Sequence, residues 1–218
     1  MGTQLFNAIV SATAIERCLI VSFDLSVFSN KNIILAVTGG IAAYKSAILV
    51  RRLKDYGFNV RVVMTQGAQA FITPLTFQAL SGNPVHTELL DTEAEAGMGH
   101  IELARWADLV LVAPASCDTL AKFACGLADD LLSTLYLATK APVWVAPAMN
   151  QQMWAAKATQ RNLNTLVEDG VHVILPEAGS QACGDVGLGR MPEPEDLAKQ
   201  VREYFHKAQR AIAEKFGL

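Results

Sequence analysis

The sequence predicts a doubly wound α/β domain, a mostly parallel sheet held between two helical layers. Three observations predict it. Apolar runs recur along the chain and are nearly continuous rather than alternating, as strands buried on both faces should be. Each run is followed by residues with apolar positions at helical spacing. Four of the five runs end on glycine or small hydroxyl residues, at the strand end where such sheets bind ligands. With 51% hydrophobic and 18% charged residues, the 218-residue chain is globular and not disordered.

The first strand is NIILAVTGG (Asn32–Gly40), stopped by glycines. AAYKSAILVRRLKDYG (Ala42–Gly57) follows as an amphipathic helix with a glycine stop. NVRVVMT (Asn59–Thr65) is the second strand. TPLTFQALSG (Thr73–Gly82) is a helix with proline in its first turn and glycine at its end. ADLVLVAPAS (Ala107–Ser116) is the third strand, and CDTLAKFACG and DDLLSTLYLAT are two short helices. APVWVAPAMN (Ala141–Asn150) is the fourth strand. A helix over roughly Gln151–Asp169 leads to the fifth, VHVILP (Val171–Pro176). A glycine-rich loop spans Glu177–Gly189, and the last helix begins near Pro194. This alternation makes a three-layer α/β/α, Rossmann-like (flavodoxin-like) domain over residues 31–205. Residues 1–30 form an extension of unknown role, and 206–218 a terminal helix or linker stub.

Several classes are excluded. A net charge of −3 gives no electrostatic reason to expect nucleic acid or an anionic membrane as partner. The apolar stretch CLIVSFDLSVF carries Asp24 and is too short to span a bilayer. Cys18, Cys117, Cys125 and Cys183 make no CxxC pair and no metal-ligand spacing, so the expectation is no metal and reduced thiols in the cytoplasm.

Chemistry concentrates at the strand ends. TGGIAAYKS offers glycines that let a phosphate approach backbone N–H groups, but it is neither GxGxxG nor GK[ST]. APASCDTLAK sets Ser116, Asp118 and Thr119 at a helix start, where they suit a phosphate or serve simply as caps. His100 lies between glycines (Gly97, Gly99) that free the backbone to present its ring as base or carboxylate binder. His86, His172 and His206 have no such setting. GSQACGDVGLGRM reads as a lid carrying Cys183, or as a surface loop with an incidental thiol. VWVAPAMNQQMW ends a core strand by presenting one amide, Asn150, among methionines and a tryptophan.

PAMNxxMW, GHIELARWADLVLVAPAS, TGGIAAYK and ACGDxGxGRM together resemble the homo-oligomeric flavin-containing cysteine decarboxylases. Within them they resemble phosphopantothenoylcysteine decarboxylase, as in the decarboxylase half of the bacterial bifunctional coenzyme A biosynthesis flavoproteins. The resemblance runs from about Lys31 to Tyr204. It implies bound FMN, lined by Gly39, Gly40 and Ile41 from the first turn, Thr65 from the second strand, Ser116, Cys117, Asp118 and Thr119 from the third, and Ala148. It makes His100 and Cys183 catalytic and Asn150 substrate-binding, with Met149, Ala182 and Gly184 beside the substrate. The implied reaction turns 4'-phosphopantothenoylcysteine into 4'-phosphopantetheine by oxidation to a thioaldehyde, loss of CO2 and re-reduction of the enethiolate, Cys183 supplying a proton. Asn150 suits this chemistry because a neutral donor holds a carboxylate without stabilising it against departure as a cation would.

The resemblance also implies a trimer or trimer-based dodecamer with the flavin between protomers, and a synthetase domain in cis or in trans. The chain is then a stand-alone decarboxylase or part of a bifunctional one. Two other readings stay open: a peptidyl-cysteine decarboxylase of the same fold, and, from a different class, a non-catalytic flavin-binding regulatory subunit. A flavin prenyltransferase is disfavoured by the PAMN and cysteine-flap motifs.

Overall fold

The computed structural model describes residues 31–89 and 99–216; the 1–30 extension, Cys18 and Gly97 lie outside the described residues. Six strands form one parallel sheet: β1 (Asn32–Val37), β2 (Asn59–Met64), β3 (Val85–His86), β4 (Leu109–Ala115), β5 (Val143–Pro147) and β6 (His172–Val173). Their order is β3-β2-β1-β4-β5-β6, every pairing parallel. This is the Rossmann order, with its reversal between β1 and β4; the flavodoxin order, 2-1-3-4-5, is not the one adopted.

The continuous apolar runs are explained by where their side chains go. Ile33, Leu35 and Val37 of β1 enter one core, while Ile34 and Ala36 enter the other. In β4, Leu109, Leu111 and Ala113 join the first core and Val110 and Val112 the second. Period-two side chains with both faces covered leave no position for a polar residue. The first core is closed by α1 (Ala43–Asp55), α2 (Gln66–Gln69), α3 (Pro74–Ser81) and α9 (Pro194–Phe216). The second is closed by α4 (Gly99–Trp106), α5 (Cys117–Cys125), α6 (Leu131–Ala138) and α8 (Lys157–Glu168).

Local chemistry sets the helix ends. Pro74 opens α3 and Gly82, in the left-handed region at φ 76°, closes it. Gly126 closes α5 in the same way at φ 65°. Asp130 starts α6 through a capping box: its carboxylate accepts the Ser133 N–H at 2.7 Å, and Ser133 Oγ accepts the Asp130 N–H at 3.1 Å.

Three expectations are corrected. The helix over Gln151–Asp169 is two helices, α7 (Gln151–Ala155) and α8, because Ala156 is extended at ψ 133° and breaks the ladder. The strand over Val171–Pro176 keeps only His172–Val173, paired to Trp144–Val145 at the sheet edge. The loop over Glu177–Gly189 is an antiparallel hairpin, β7 (Glu177–Ser180) and β8 (Val186–Arg190). The structure adds β3 and α2, both too short for a periodic signal. α9 continues through position 205 without a break. Among the described residues no helix is long and apolar enough to cross a membrane.

Candidate active site

The helix after β1 covers one face of the sheet and the helix after β4 covers the other. Their connecting turns therefore diverge and open a crevice beyond the carboxyl ends of these strands. A cavity of about 560 Å³ occupies it, within the range of small-molecule sites. Its walls come from the turn after β1, the start of α5, the end of β5 and the β7–β8 hairpin.

Hydrogen bonds tie the strand ends around this crevice together. The buried Thr38 Oγ1 donates to the Pro114 carbonyl at 2.7 Å and accepts the Ser116 N–H at 2.8 Å, joining the β1 and β4 turns. Ser46 Oγ on α1 donates to the Ala113 carbonyl at 2.6 Å. The Ala148 N–H donates to the Ala115 carbonyl at 3.1 Å, joining the β4 and β5 ends. Gly39 eases a close approach: a Cβ there would sit 3.1 Å from the Gly67 backbone. A Cβ on Gly40 would meet nothing within 4 Å, so its open side faces the cavity.

The structure gathers most of the expected site. Gly39, Gly40, Ile41, Ser116, Cys117 and Ala148 line the cavity on its sheet side. Met149, Asn150, Ala182 and Cys183 line it on the hairpin side. Thr65, Asp118, Thr119 and Gly184 do not line it. Thr65 precedes α2, its N–H bonded to the Val37 carbonyl at 3.1 Å. Thr119 is buried against Ser116, which accepts its N–H at 3.2 Å and so caps α5. The Asp118 side chain is 76% exposed and lies 3.7 Å from Lys122. Gly184 shapes the hairpin turn at φ 91°.

His100 also lies outside this cavity. It stands half-buried in the first turn of α4, and its Nδ1 is buried with no hydrogen-bond partner among the described residues. Met149 packs on the second core while lining the cavity, Met153 lines it from an exposed position, and Trp154 packs only on the core.

Asn150 is fixed from both ends. Its Oδ1 accepts the Gln152 N–H at 2.8 Å as the cap of α7. With the carbonyl oxygen committed, only N–H donors point toward the hairpin. There Nδ2 approaches Cys183 Sγ at 3.3 Å and donates to Asp185 Oδ2 at 2.8 Å. The hairpin is itself docked on this strand end: the Met149 N–H donates to the Gly189 carbonyl at 2.9 Å, and the Gln151 N–H to Gln181 Oε1 at 3.1 Å.

Sequence reasoning missed Lys45, Gln181 and Arg190. Lys45 is buried in the cavity wall, its Nζ donating to the Met191 carbonyl at 2.9 Å and to Glu193 Oε1 at 2.7 Å. It links α1 to the exit of the hairpin; Arg190 reaches the same Glu193 oxygen at 3.4 Å. The available signal was a lysine within the small apolar start of a helix, AAYKSA.

The donor set fits a flavin. Helix geometry leaves the N–H groups of Cys117 and Asp118 at the start of α5 without intrahelical acceptors, suited to a phosphate. The open side of Gly40 and the apolar Ile41, Ala148 and Met149 suit a flat ring system.

Comparison with known proteins places the chain in a family. The family model described as Flavoprotein matches residues 25–206. The bifunctional coenzyme A biosynthesis protein CoaBC of Vibrio vulnificus is 57% identical over 181 residues, covering 83% of this chain and 45% of the relative. That of Escherichia coli is 57% identical over 177 residues, covering 81% and 44%. The chain thus spans less than half the length of these curated relatives. Among solved structures, a PPC decarboxylase mutant complexed with pantothenoylaminoethenethiol superposes with a TM-score of 0.73 at 34% identity, covering 81% of this chain and 99% of that one. The FMN binding protein AtHal3 gives 0.71 at 34%, covering 82% and 98%. The family model spans most of the chain and a PPC decarboxylase is covered almost end to end, so the chain belongs to the flavoprotein family in which the PPC decarboxylases fall.

Proposed function

We propose that this chain decarboxylates 4'-phosphopantothenoylcysteine to 4'-phosphopantetheine with bound FMN, a step of coenzyme A biosynthesis in the cytoplasm. The observation that carries the reading is the meeting of the Asn150 amide and the Cys183 thiol at 3.3 Å on the wall of the strand-end cavity. An amide to hold a carboxylate and a thiol to supply a proton are the two groups a cysteine-moiety decarboxylation needs on its substrate side.

FMN would be held by Gly39, Gly40, Ile41 and Ala148, with Ser116, Cys117 and the backbone N–H of Asp118 toward its phosphate; Thr119, bonded to Ser116, and Thr65 stand behind that wall and do not line it. When bound, it supplies the oxidation of the substrate's cysteine moiety and the return of the electrons after CO2 is lost. Asn150 orients the leaving carboxylate through Nδ2, its Oδ1 being tied to α7. Because the amide is neutral, it positions the ground state without the stabilisation that a cation would add. Met149 and Met153 add apolar surface to the cavity wall, which favours the charge-dispersed transition state over the free carboxylate. Cys183, at the hairpin turn beside Ala182 and Gly184, delivers the proton that completes the product.

His100 is assigned to the oxidative half, as base or positioning group. Since it does not line the cavity of its own chain, it serves the site of a neighbouring copy in a homo-oligomer, a trimer or trimer-based dodecamer. Exposed Ile41 (61%) and Tyr44 (56%) beside the cavity give such a copy an apolar surface to cover. The synthetase that makes the substrate would act in cis or in trans, as the bifunctional relatives suggest.

The test is mass spectrometry of 4'-phosphopantothenoylcysteine incubated with the purified, flavin-loaded protein. Loss of CO2 to give 4'-phosphopantetheine is expected. Unchanged substrate with flavin bound overturns the proposal and favours a peptide-cysteine substrate or a non-catalytic flavin-binding role.

A further inference from the structure

The mechanism above gives Asp185 no part, yet its carboxylate engages both groups that the mechanism uses. Asp185 Oδ2 accepts the Asn150 Nδ2 donor at 2.8 Å and the Cys183 thiol at 3.5 Å. Backbone geometry delivers it there: the Gln181 N–H donates to the Asp185 carbonyl at 2.8 Å, and the Gly184 N–H to the Gln181 carbonyl at 2.9 Å. The Gln181 side chain fixes the turn against α7, accepting the Gln151 N–H at 3.1 Å and donating to the Leu188 carbonyl at 3.1 Å. Asn150 cannot rotate away, because Oδ1 is held by the Gln152 N–H.

We propose that Asp185 is an internal surrogate for the substrate's carboxylate, a positioning and specificity residue that occupies the Asn150 amide and the Cys183 thiol until a carboxylate-bearing ligand displaces it. The inference rests on the function proposed above. The group that Asn150 is assigned to hold is a carboxylate, and Asp185 already presents one to it at hydrogen-bond length. Two carboxylates on one amide repel each other, so the arrival of one moves the other out. The same movement withdraws the carboxylate from the thiol, and the Cys183 S–H becomes free to face the substrate. Once the substrate's carboxylate has left as CO2, the product has nothing with which to hold the amide, and Asp185 returns. Asp185 therefore competes with the substrate and not with the product.

The test uses FMN-loaded wild-type protein, Asp185→Asn and Asp185→Ala, each checked for flavin absorbance and melting temperature. The first variant keeps the shape and removes the charge; the second removes the acceptor, so either one carries the test if the other fails to load. The readouts are KM for 4'-phosphopantothenoylcysteine and the inhibition constant of 4'-phosphopantetheine. A competing charge-assisted hydrogen bond keeps the binding-competent state a minor one, so KM falls by about tenfold. The product's inhibition constant moves less than about twofold, since the product carries no carboxylate to exchange with Asp185 at Asn150. An unchanged or raised KM overturns the proposal. So does a product constant that falls in step with KM, which would mark a general loosening of the hairpin. Wild-type protein that fails to turn over the substrate overturns the proposed function itself, and that arm is read separately.

Discussion

Replacing Asn150 by aspartate changes one atom of the site and reverses its sign. Aspartate is as good a helix cap as asparagine, so the oxygen that accepts the Gln152 N–H at 2.8 Å is retained and α7 stays in place. The other position, now an oxygen anion, loses the donor and faces carboxylates. The lost hydrogen bond to a charged group is worth about 1.5–3 kcal/mol. A charge about 4 Å from the substrate's carboxylate adds about 4 kcal/mol of repulsion at an effective dielectric of about 20. The sum, about 6 kcal/mol, corresponds to a loss of about 10⁴-fold in kcat/KM. Asn150→Ala loses the hydrogen bond and about 1 kcal/mol of capping but adds no repulsion, so it falls only about 10- to 100-fold on the hydrogen-bond term. The assay is product formation by mass spectrometry, with the flavin spectrum showing that each variant is loaded. Activity of Asn150→Asp within about tenfold of wild type, or an alanine variant slower than the aspartate one, would refute the assignment of Asn150 to a carboxylate.

Cys183→Ser is expected to release CO2 but accumulate the oxidised enethiol, seen by mass spectrometry; full turnover to 4'-phosphopantetheine would remove Cys183 as the proton donor. His100→Asn is expected to stop the oxidative half, so anaerobic substrate no longer bleaches the flavin; normal bleaching would count against it. Asp130 gives a pH-dependent prediction. Burial raises its pKa, but the Ser133 backbone N–H and the Lys122 ammonium at 3.0 Å outweigh that and hold it below the ordinary carboxylate range. A depressed folded-state pKa contributes stability that is present above the unfolded value of about 3.9 and is lost as pH falls through the folded one. Asp130→Asn, which keeps a capping side chain, should therefore melt below wild type at pH 7, the gap closing below about pH 4 in thermal scans; a gap independent of pH would show that the charge is not involved.

Most of the sheet was legible because both faces of each central strand are buried, which forces a continuous apolar run that local pattern alone can reveal. The edge strands β3 and β6 carry two residues each, too few for any period to register. The β7–β8 hairpin was hidden for a different reason. EAGS and VGLGR have little strand propensity, and their pairing is set by backbone bonds and by docking on Met149 and Gln151, neither of which the local sequence records. Lys45 was invisible because its burial is tolerable only with partners 146 and 148 residues away.

The candidate site divides along the same line. Glycines and hydroxyls at strand ends point to the crevice because the fold class dictates where ligands bind, and most of the residues named from those ends do line it. Asp118 and Thr119 share that strand end but turn into an ion pair and a cap, since residue type alone cannot say which side of a helix start faces the ligand. On the proposed function, the chemistry of Asn150 explains why an amide suits its position. A lysine could hold a carboxylate but would stabilise it against leaving. An aspartate could cap α7 but would repel the carboxylate. An amide accepts the Gln152 N–H with one atom and offers neutral donors with the other, and the short side chain of asparagine lets it do so two residues from the N–H it caps.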